Sequence, residues 1–376
     1  MKRWFFILLL APAVLWAEPL YSPTWGFHID LPEGYELAGG NGQDSYSFQG
    51  PNEAAFDLKV YSGRDLDIDD LTQDINRRLG NQGEVSFFSY GNRAAALMEL
   101  RFGDSSGWGI CVELGRGTEV PAPLLLALSY APAGKKNMDL FHMSALDSIA
   151  PSDAERRYPG PIMEFGFPRG KEQSTAIAMT DVSALIREHD AEAAQTLVDR
   201  EFALLRQYQF SEYWQEAWIR FYRAVYRDSW ERIRNAAFQL ERSWYTGANV
   251  LMDTAAAERA FAEKALAWVQ GFTYERDLMG SDFVNLVSAV TEGRGDCDSR
   301  AMLWAIILAQ ADIPAAIMVS REYSHAMGLA GITGAGARFE AEGRKWLVAE
   351  TTAKVGIGLI GKEVSDIEAW LGVVFE

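Results

Sequence analysis

Gly293-Arg294-Gly295-Asp296-Cys297-Asp298-Ser299-Arg300 runs without a break into Ala301-Met302-Leu303-Trp304-Ala305-Ile306-Ile307-Leu308-Ala309-Gln310-Ala311. The second part consists of good helix formers and is apolar nearly all round, which predicts a helix buried on every side. The glycines ahead of it let the backbone turn tightly. Cys297 then stands on the first turn, beside free backbone N–H groups and the positive end of the helix dipole, where a thiolate is favoured. Asp296 and Asp298 act in the opposite sense, because nearby negative charge raises a thiol's pKa. A cysteine in an apolar helix is most often inert packing. The first-turn position and the glycines mark Cys297 instead as a nucleophile.

Two residues downstream complete a possible constellation. His325 follows Cys297 by 28 residues, and Glu350 follows His325 by 25. Asp312-Ile313-Pro314 ends the helix, since proline cannot continue it. Ala315 to Ser320 reads as a strand, Arg321-Glu322-Tyr323-Ser324 as a turn, and His325 as the start of the next strand. Ala337 to Glu350 reads as a hairpin about Glu342-Gly343-Arg344. A helix followed by adjacent antiparallel strands can bring a thiol, an imidazole and a carboxylate together. The imidazole then takes the thiol proton and the carboxylate holds the ring.

The pattern resembles the transglutaminase-like superfamily of papain-type thiol enzymes over about residues 254 to 353. The residues that carry the resemblance are Gly295-Asp296-Cys297 before the buried helix, Ala311-Asp312-Ile313-Pro314-Ala315 after it, His325-Ala326, and Trp346-Leu347-Val348-Ala349-Glu350-Thr351-Thr352. The resemblance implies Cys297 as nucleophile, His325 as base and Glu350 as orienter. The chain departs from the family's pattern at two places: Glu350 stands where aspartate is usual, and Met327 where an aromatic residue is frequent.

A chain of 376 residues has room for two or three domains, each with its own core. Its first residues read as a secretory leader: Lys2-Arg3, an apolar run from Trp4 to Trp16, and the small residue Ala17 at the cut, with Ala13 as an alternative. Export with only Cys111 and Cys297 does not fit a disulfide-stapled domain. The expectation is two free thiols, Cys111 buried in a strand and Cys297 reactive. Loss of the leader removes Lys2 and Arg3, leaving 33 basic against 52 acidic residues, a balance of −19. That argues against nucleic acid, whose affinity rests on lysine and arginine at phosphate, and against anionic lipid surfaces. No later stretch reads as a membrane span. No cofactor or metal is expected.

Residues 18–150 read as an α+β domain. Trp25 to Leu31 alternates; Ser45 to Gln49 and Ala55 to Tyr61 flank the turn Gly50-Pro51-Asn52. Leu71, Ile75 and Leu79 mark an amphipathic helix stopped at Gly80. Strands follow at Val85–Tyr90, Ala94–Phe102, Gly109–Leu114 and Leu124–Tyr130, then a helix from Met138 to Ser148. This order, with Tyr21-Ser22-Pro23 to Pro32 and Ser144 to Ile149, resembles PsbP-like domains and implies no catalytic residues. His28 and His142 stand alone and read as structural. Residues 151–179, with Pro151, Pro159, Gly160, Pro161, Pro168 and Gly170, have linker composition. Residues 180–248 read as a helical connector whose Trp214, Trp218, Phe221, Val225, Ile233, Leu240 and Trp244 fall at helical steps. Such a stripe is usually core, here packed on the C-terminal domain; a ligand groove is the minority reading. Phe261, Ala265, Trp268 and Phe272 mark a further helix.

Three other motifs have structural explanations. Glu188-His189-Asp190 cannot share one ion, because adjacent residues on a helix point apart. Arg294-Gly295-Asp296 is the turn before Cys297. Gly356-Ile357-Gly358-Leu359-Ile360-Gly361 has too little chain after it for a βαβ unit. The glycine-rich segment Gly328 to Gly336 is either a strand connection or substrate-side backbone. The expectation is therefore an exported, periplasmic or extracellular α+β protein: an N-terminal PsbP-like antiparallel sheet with helices, a helical connector, and a transglutaminase-like domain over residues 249–376. Its activity would be acyl transfer or hydrolysis at peptide or isopeptide amides through Cys297, His325 and Glu350. A catalytically silent binding module for a peptide or cell-envelope partner is the alternative. The partner of the N-terminal domain is not specified by the sequence.

Overall fold

The computed structural model describes residues 19–63, 67–115, 122–245, 254–276 and 281–375. The leader expected at residues 1–17 lies outside them. The chain is α+β, with two antiparallel sheets joined by long helices.

A short ladder, β1 (Leu20–Tyr21) with β2 (His28–Ile29), precedes the first sheet. That sheet is built from β3 (Glu36–Gly40), β4 (Ser45–Gln49), β5 (Ala55–Tyr61), β6 (Val85–Tyr90), β7 (Arg93–Phe102), β8 (Ser105–Glu113) and β9 (Leu124–Pro132). Its spatial order is β3-β4-β5-β9-β8-β7-β6, antiparallel throughout. Period-two alternation sorts the long central strands into two buried faces. Cys111, Leu126 and Met98 face helix α1 (Ile68–Leu79), which buries Leu71 and Ile75 and stops at Gly80 in the left-handed region. Ile110, Val112, Leu125 and Ala127 face the other way and pack with Ala145 and Leu146 of helix α2 (Met138–Asp147). His142 is buried against Ser129 Oγ at 2.9 Å, and His28 meets Asp153 at 2.7 Å, so each has a local partner.

Residues 151–187 are more ordered than their composition implies. A short helix α3 (Pro161–Gly166) is followed by a hairpin, β10 (Glu172–Ala176) with β11 (Ser183–Arg187), where the sequence reads as linker and the start of a helical segment. β10 is mostly exposed and polar, so no alternation marks it. Tertiary contact holds the pair: Asn235 Oδ1 accepts from the Leu185 N–H at 2.8 Å, and Ala184 and Ile186 point into the core.

Two helices then span the molecule, α4 (Asp190–Leu205) and the 32-residue α5 (Trp214–Tyr245). Arg220 of α5 donates to Glu201 at 2.9 Å and to the Asp30 carbonyl at 2.8 Å. Arg227 donates to the carbonyls of Asp147 and Ile149 at 2.9 and 2.8 Å. Arg232 is buried between Asp228 and Asp190. The opposite stripe, including Val225, Ile233 and Leu240, joins the core of the C-terminal half, as the helical spacing implies.

That half contains α6 (Thr254–Val269), β12 (Thr273–Tyr274), α7 (Leu286–Glu292), β13 (Arg294–Gly295), α8 (Cys297–Gln310), β14 (Ala315–Ser320), β15 (His325–Ala330), β16 (Arg338–Ala341), β17 (Arg344–Ala349) and β18 (Leu371–Val374). The sheet order is β16-β17-β15-β14-β18, again antiparallel. α8 lies in a core shared with Ile317, Val319, Ala326 and Leu347, and its residues from Ala301 to Leu308 are sealed from solvent. Gly328 makes this close packing possible: a Cβ there would fall within 2.6 Å of two Trp304 ring atoms. The Trp304 ring nitrogen is satisfied by the Ala262 carbonyl at 3.0 Å. Among the described residues no helix is long and apolar enough to cross a membrane.

Candidate active site

The site begins where α7 gives way to α8. Gly293 caps α7 at a φ of 67°. Arg294–Gly295 then pairs in parallel with Thr273–Tyr274, so the Arg294-Gly295-Asp296 tripeptide is a structural turn. Gly295 is required, because a Cβ there would lie 2.5 Å from Ser299 Oγ. Asp296 caps α8: its Oδ1 accepts from the Ser299 N–H at 2.9 Å and from the Ser299 hydroxyl. Arg300, buried, closes the turn by donating to the carbonyls of Gly295 and Phe272 at 3.0 and 2.8 Å.

Cys297 is therefore the first residue of α8, and only 5 % of it is exposed. Its thiol donates to Asp298 Oδ2, with Sγ 3.6 Å from that oxygen, and Tyr274 lines the same cleft. The resting thiol is not the thiolate that the helix terminus alone would favour. Burial first, then the charges of Asp298 and Asp296, push its pKa up. Asp296 is itself raised well above the carboxylate range, by burial and by Asp298, and its Oδ2 is buried without a donor from the rest of the protein. Asp298 is held on its far side by the Tyr222 hydroxyl of α5 at 2.6 Å. Asp296, Cys297 and Asp298 could offer a cation three donor atoms within 4.8 Å of one another. Cys111 lies buried in β8, pushed up by burial to about 12, and both cysteines are free.

His325 opens β15 opposite Ser320 of β14. Its Nε2 is 2.8 Å from Glu350 Oε2. Glu350 directly follows β17, and its other oxygen, Oε1, accepts from the Thr352 N–H at 2.7 Å and the Thr352 hydroxyl at 2.6 Å. Burial alone would raise this carboxyl. The His325 bond and charge and the two Thr352 bonds outweigh it and bring the pKa down to about 2. Gln270 donates to the Glu350 carbonyl at 2.8 Å and so holds the backbone that carries it. With Nε2 engaged by Glu350, the nitrogen left for a reacting group is Nδ1.

Cys297 and His325 line one cleft of about 420 Å³, with Asp296, Asp298, Ser320 and Ser324 around them. A larger cavity, about 1000 Å³, lies elsewhere, between β2, α5 and the edge of the second sheet. It contains neither the thiol nor His325, and of its five lining arginines Arg200 and Arg220 are paired with buried carboxylates. Of the motifs set aside, Asp190 pairs with Arg232, and His189 sits 3.7 Å from Glu192. Tyr222, Tyr274 and Gln270 do not stand out in the sequence. Each reaches the site from an element remote in the chain, and no local pattern marks such a residue.

No family model matches this chain, and no curated protein matches it. Solved structures do. A protein from Bacteroides thetaiotaomicron is similar at 11% identity, over 59% of this chain and 79% of its own, with a TM-score of 0.24. A candidate cysteine protease from Cytophaga hutchinsonii is similar at 12% identity, over 93% of this chain and 80% of its own, with a TM-score of 0.23. A candidate protease from Parabacteroides distasonis is similar at 8% identity, over 83% of this chain and 64% of its own, with a TM-score of 0.24. Overlap at this level leaves the fold to be read from the chain's own topology. The resemblance of residues 18–150 to PsbP-like domains finds no support among these structures.

Proposed function

We propose that this protein is an exported thiol enzyme of the transglutaminase-like kind, acting by acyl transfer or hydrolysis at peptide or isopeptide amides. Cys297 is the nucleophile, His325 the base and Glu350 the orienter. Residues 249–376 carry the chemistry, with residues 18–150 as a separate domain joined through residues 180–248. The observation that carries the reading is the 2.8 Å contact between Glu350 and Nε2 of His325, which lines one cleft with Cys297. It holds the ring with Nδ1 as the acceptor for the thiol proton.

In the reaction, Nδ1 takes the proton from Sγ as sulfur attacks the amide carbonyl carbon. The carbonyl oxygen becomes an oxyanion. The first N–H groups of α8 have no partner within the helix, and in this reading that of Cys297 binds this oxygen. The C–N bond then breaks, and the imidazolium gives its proton to the leaving amine. Water attacking the thioester releases an acid and restores the thiol; an amine attacking it gives a new amide. The imidazolium formed when His325 takes the thiol proton partly offsets the unfavourable charge of a thiolate near Asp298.

One observation favours the second reading, a binding module with silent chemistry: burial and the two aspartates oppose the thiolate. Iodoacetamide labelling followed by peptide mass mapping separates the readings. The enzyme labels at Cys297 at least about tenfold faster than at Cys111 near neutral pH, and Cys297→Ala abolishes amide turnover. Equal slow labelling of both cysteines would overturn the enzyme in favour of the binding module.

A further inference from the structure

The cleft has two unlike walls. The chemical groups come from α8 and β15. The facing wall comes from α4 and α5, outside residues 254–353 that carry the family resemblance, together with the segment before α7. It presents Phe202, Leu205, Trp218, Phe221, Tyr222 and Phe283, with Arg276 and Asp282, paired at 2.6 Å, also on the lining. Phe202, Leu205 and Trp218 are only partly buried, although they pack against the core. The rings contact one another: Trp218 and Tyr222 are 6.2 Å apart, Phe221 and Phe283 6.3 Å, and Phe202 and Phe221 6.5 Å. The one polar atom on the ring of Tyr222 is taken up by its 2.6 Å bond with Asp298. Asp298 thereby locks the ring that joins the apolar wall to the thiol. This also accounts for a carboxylate at a position where it opposes the thiolate.

We infer that this wall is a specificity subsite for a large apolar side chain, aromatic or leucine-like, on the substrate residue next to the amide that meets Cys297. The inference rests on the reading of Cys297 as the reacting residue for the position of the amide, but the subsite itself is a matter of binding. Three features support that occupant. The wall is continuous with the thiol cleft. Its volume, about 420 Å³ for the whole cleft, is within the range of small-ligand sites and fits a short peptide segment. Its partly exposed rings offer apolar surface that a side chain of this kind would remove from water. Burying such a side chain, compared with glycine, corresponds to about 10- to 100-fold in affinity.

The test uses the full exported chain carrying Cys297→Ala, so that nothing is turned over, and blocked pentapeptides Ala-Ala-X-Ala-Ala with X as Phe, Leu, Gly or Glu. Binding is read by anisotropy of a fluorescent label. Phe and Leu peptides are expected to bind at least about tenfold more tightly than Gly and Glu peptides. Leu205→Trp, which fills the wall, should abolish that preference by bringing Phe and Leu binding down to the level of the Gly peptide; Leu205→Phe serves if the larger ring prevents folding. Trp218→Ala should weaken Phe binding in particular. Equal affinity for all four peptides, or no binding of any at 1 mM (~1 mM being the weak limit of specific affinity), overturns the subsite. A preference that survives both Leu205→Trp and Trp218→Ala overturns its location. If discrimination holds but Cys297 of the parent resists iodoacetamide, the subsite stands and the thiol chemistry falls.

Discussion

Glu350→Gln isolates the orienting role without removing volume. In the parent, Oε1 accepts two bonds from Thr352, at 2.7 and 2.6 Å, and Oε2 faces His325 Nε2 at 2.8 Å. A glutamine has one oxygen and one NH2. Its NH2 cannot face the Thr352 N–H, since two donors would meet, so the oxygen takes the Thr352 side and the NH2 turns to His325. Nε2 must then accept, which places the ring proton on Nδ1, the nitrogen needed to receive the thiol proton. The substitution thus selects the wrong tautomer, a defect for which related triads lose on the order of 10²–10⁴ in rate. Stability should fall by only about 1–3 kcal/mol, because all three polar contacts are kept while charge is lost. The assay is the rate of iodoacetamide labelling at Cys297 as a function of pH, read by intact mass, together with peptide turnover once a substrate is in hand. The labelling rate of Glu350→Gln should be at least about tenfold slower near neutral pH, and Glu350→Asp intermediate, since its shorter arm must choose between His325 and Thr352. Parent-like labelling and turnover in Glu350→Gln would refute the argument.

Asp298→Asn should have the opposite effect on the thiol. It removes the nearest charge opposing the thiolate while its Oδ1 can still accept from Tyr222, so labelling at Cys297 should rise by about tenfold, one pKa unit; an unchanged or slower rate would contradict it. Gly328→Ala forces a methyl into the Trp304 ring and should destabilise the protein by about 2–3 kcal/mol in urea denaturation. A midpoint equal to the parent's would show that the ring has room to move. For pH, Glu350 is depressed from its ordinary 4.5 to about 2 in the folded chain, so its stabilisation is complete above 4.5 and lost as pH falls through 2. After allowance for solvent screening this is on the order of 2 kcal/mol, measured as the difference in acid stability between the parent and Glu350→Gln over that window.

Much of the architecture is legible in the order of residues, because it rests on local physics. The α8 segment has no polar face between Ala301 and Ala309, so it must be buried. Gly80, Gly91 and Gly343 adopt positive φ at turns that the sequence marks. Cys297, His325 and Glu350 are each identified by type and spacing within one run of 54 residues. What the sequence does not contain is the environment of those groups. A helix terminus favours a thiolate, yet burial and two flanking aspartates prevail at Cys297. Only the fold shows this, because desolvation depends on what covers a group. The hairpin Glu172–Arg187 lacks alternation and exists because Asn235, some 50 residues later, supplies a bond to it. Tyr222 and Gln270 lie 75 and 27 residues before Cys297, and no period links them to it. They reach the site because α5 and α6 pack against α8, so their roles follow from tertiary packing alone.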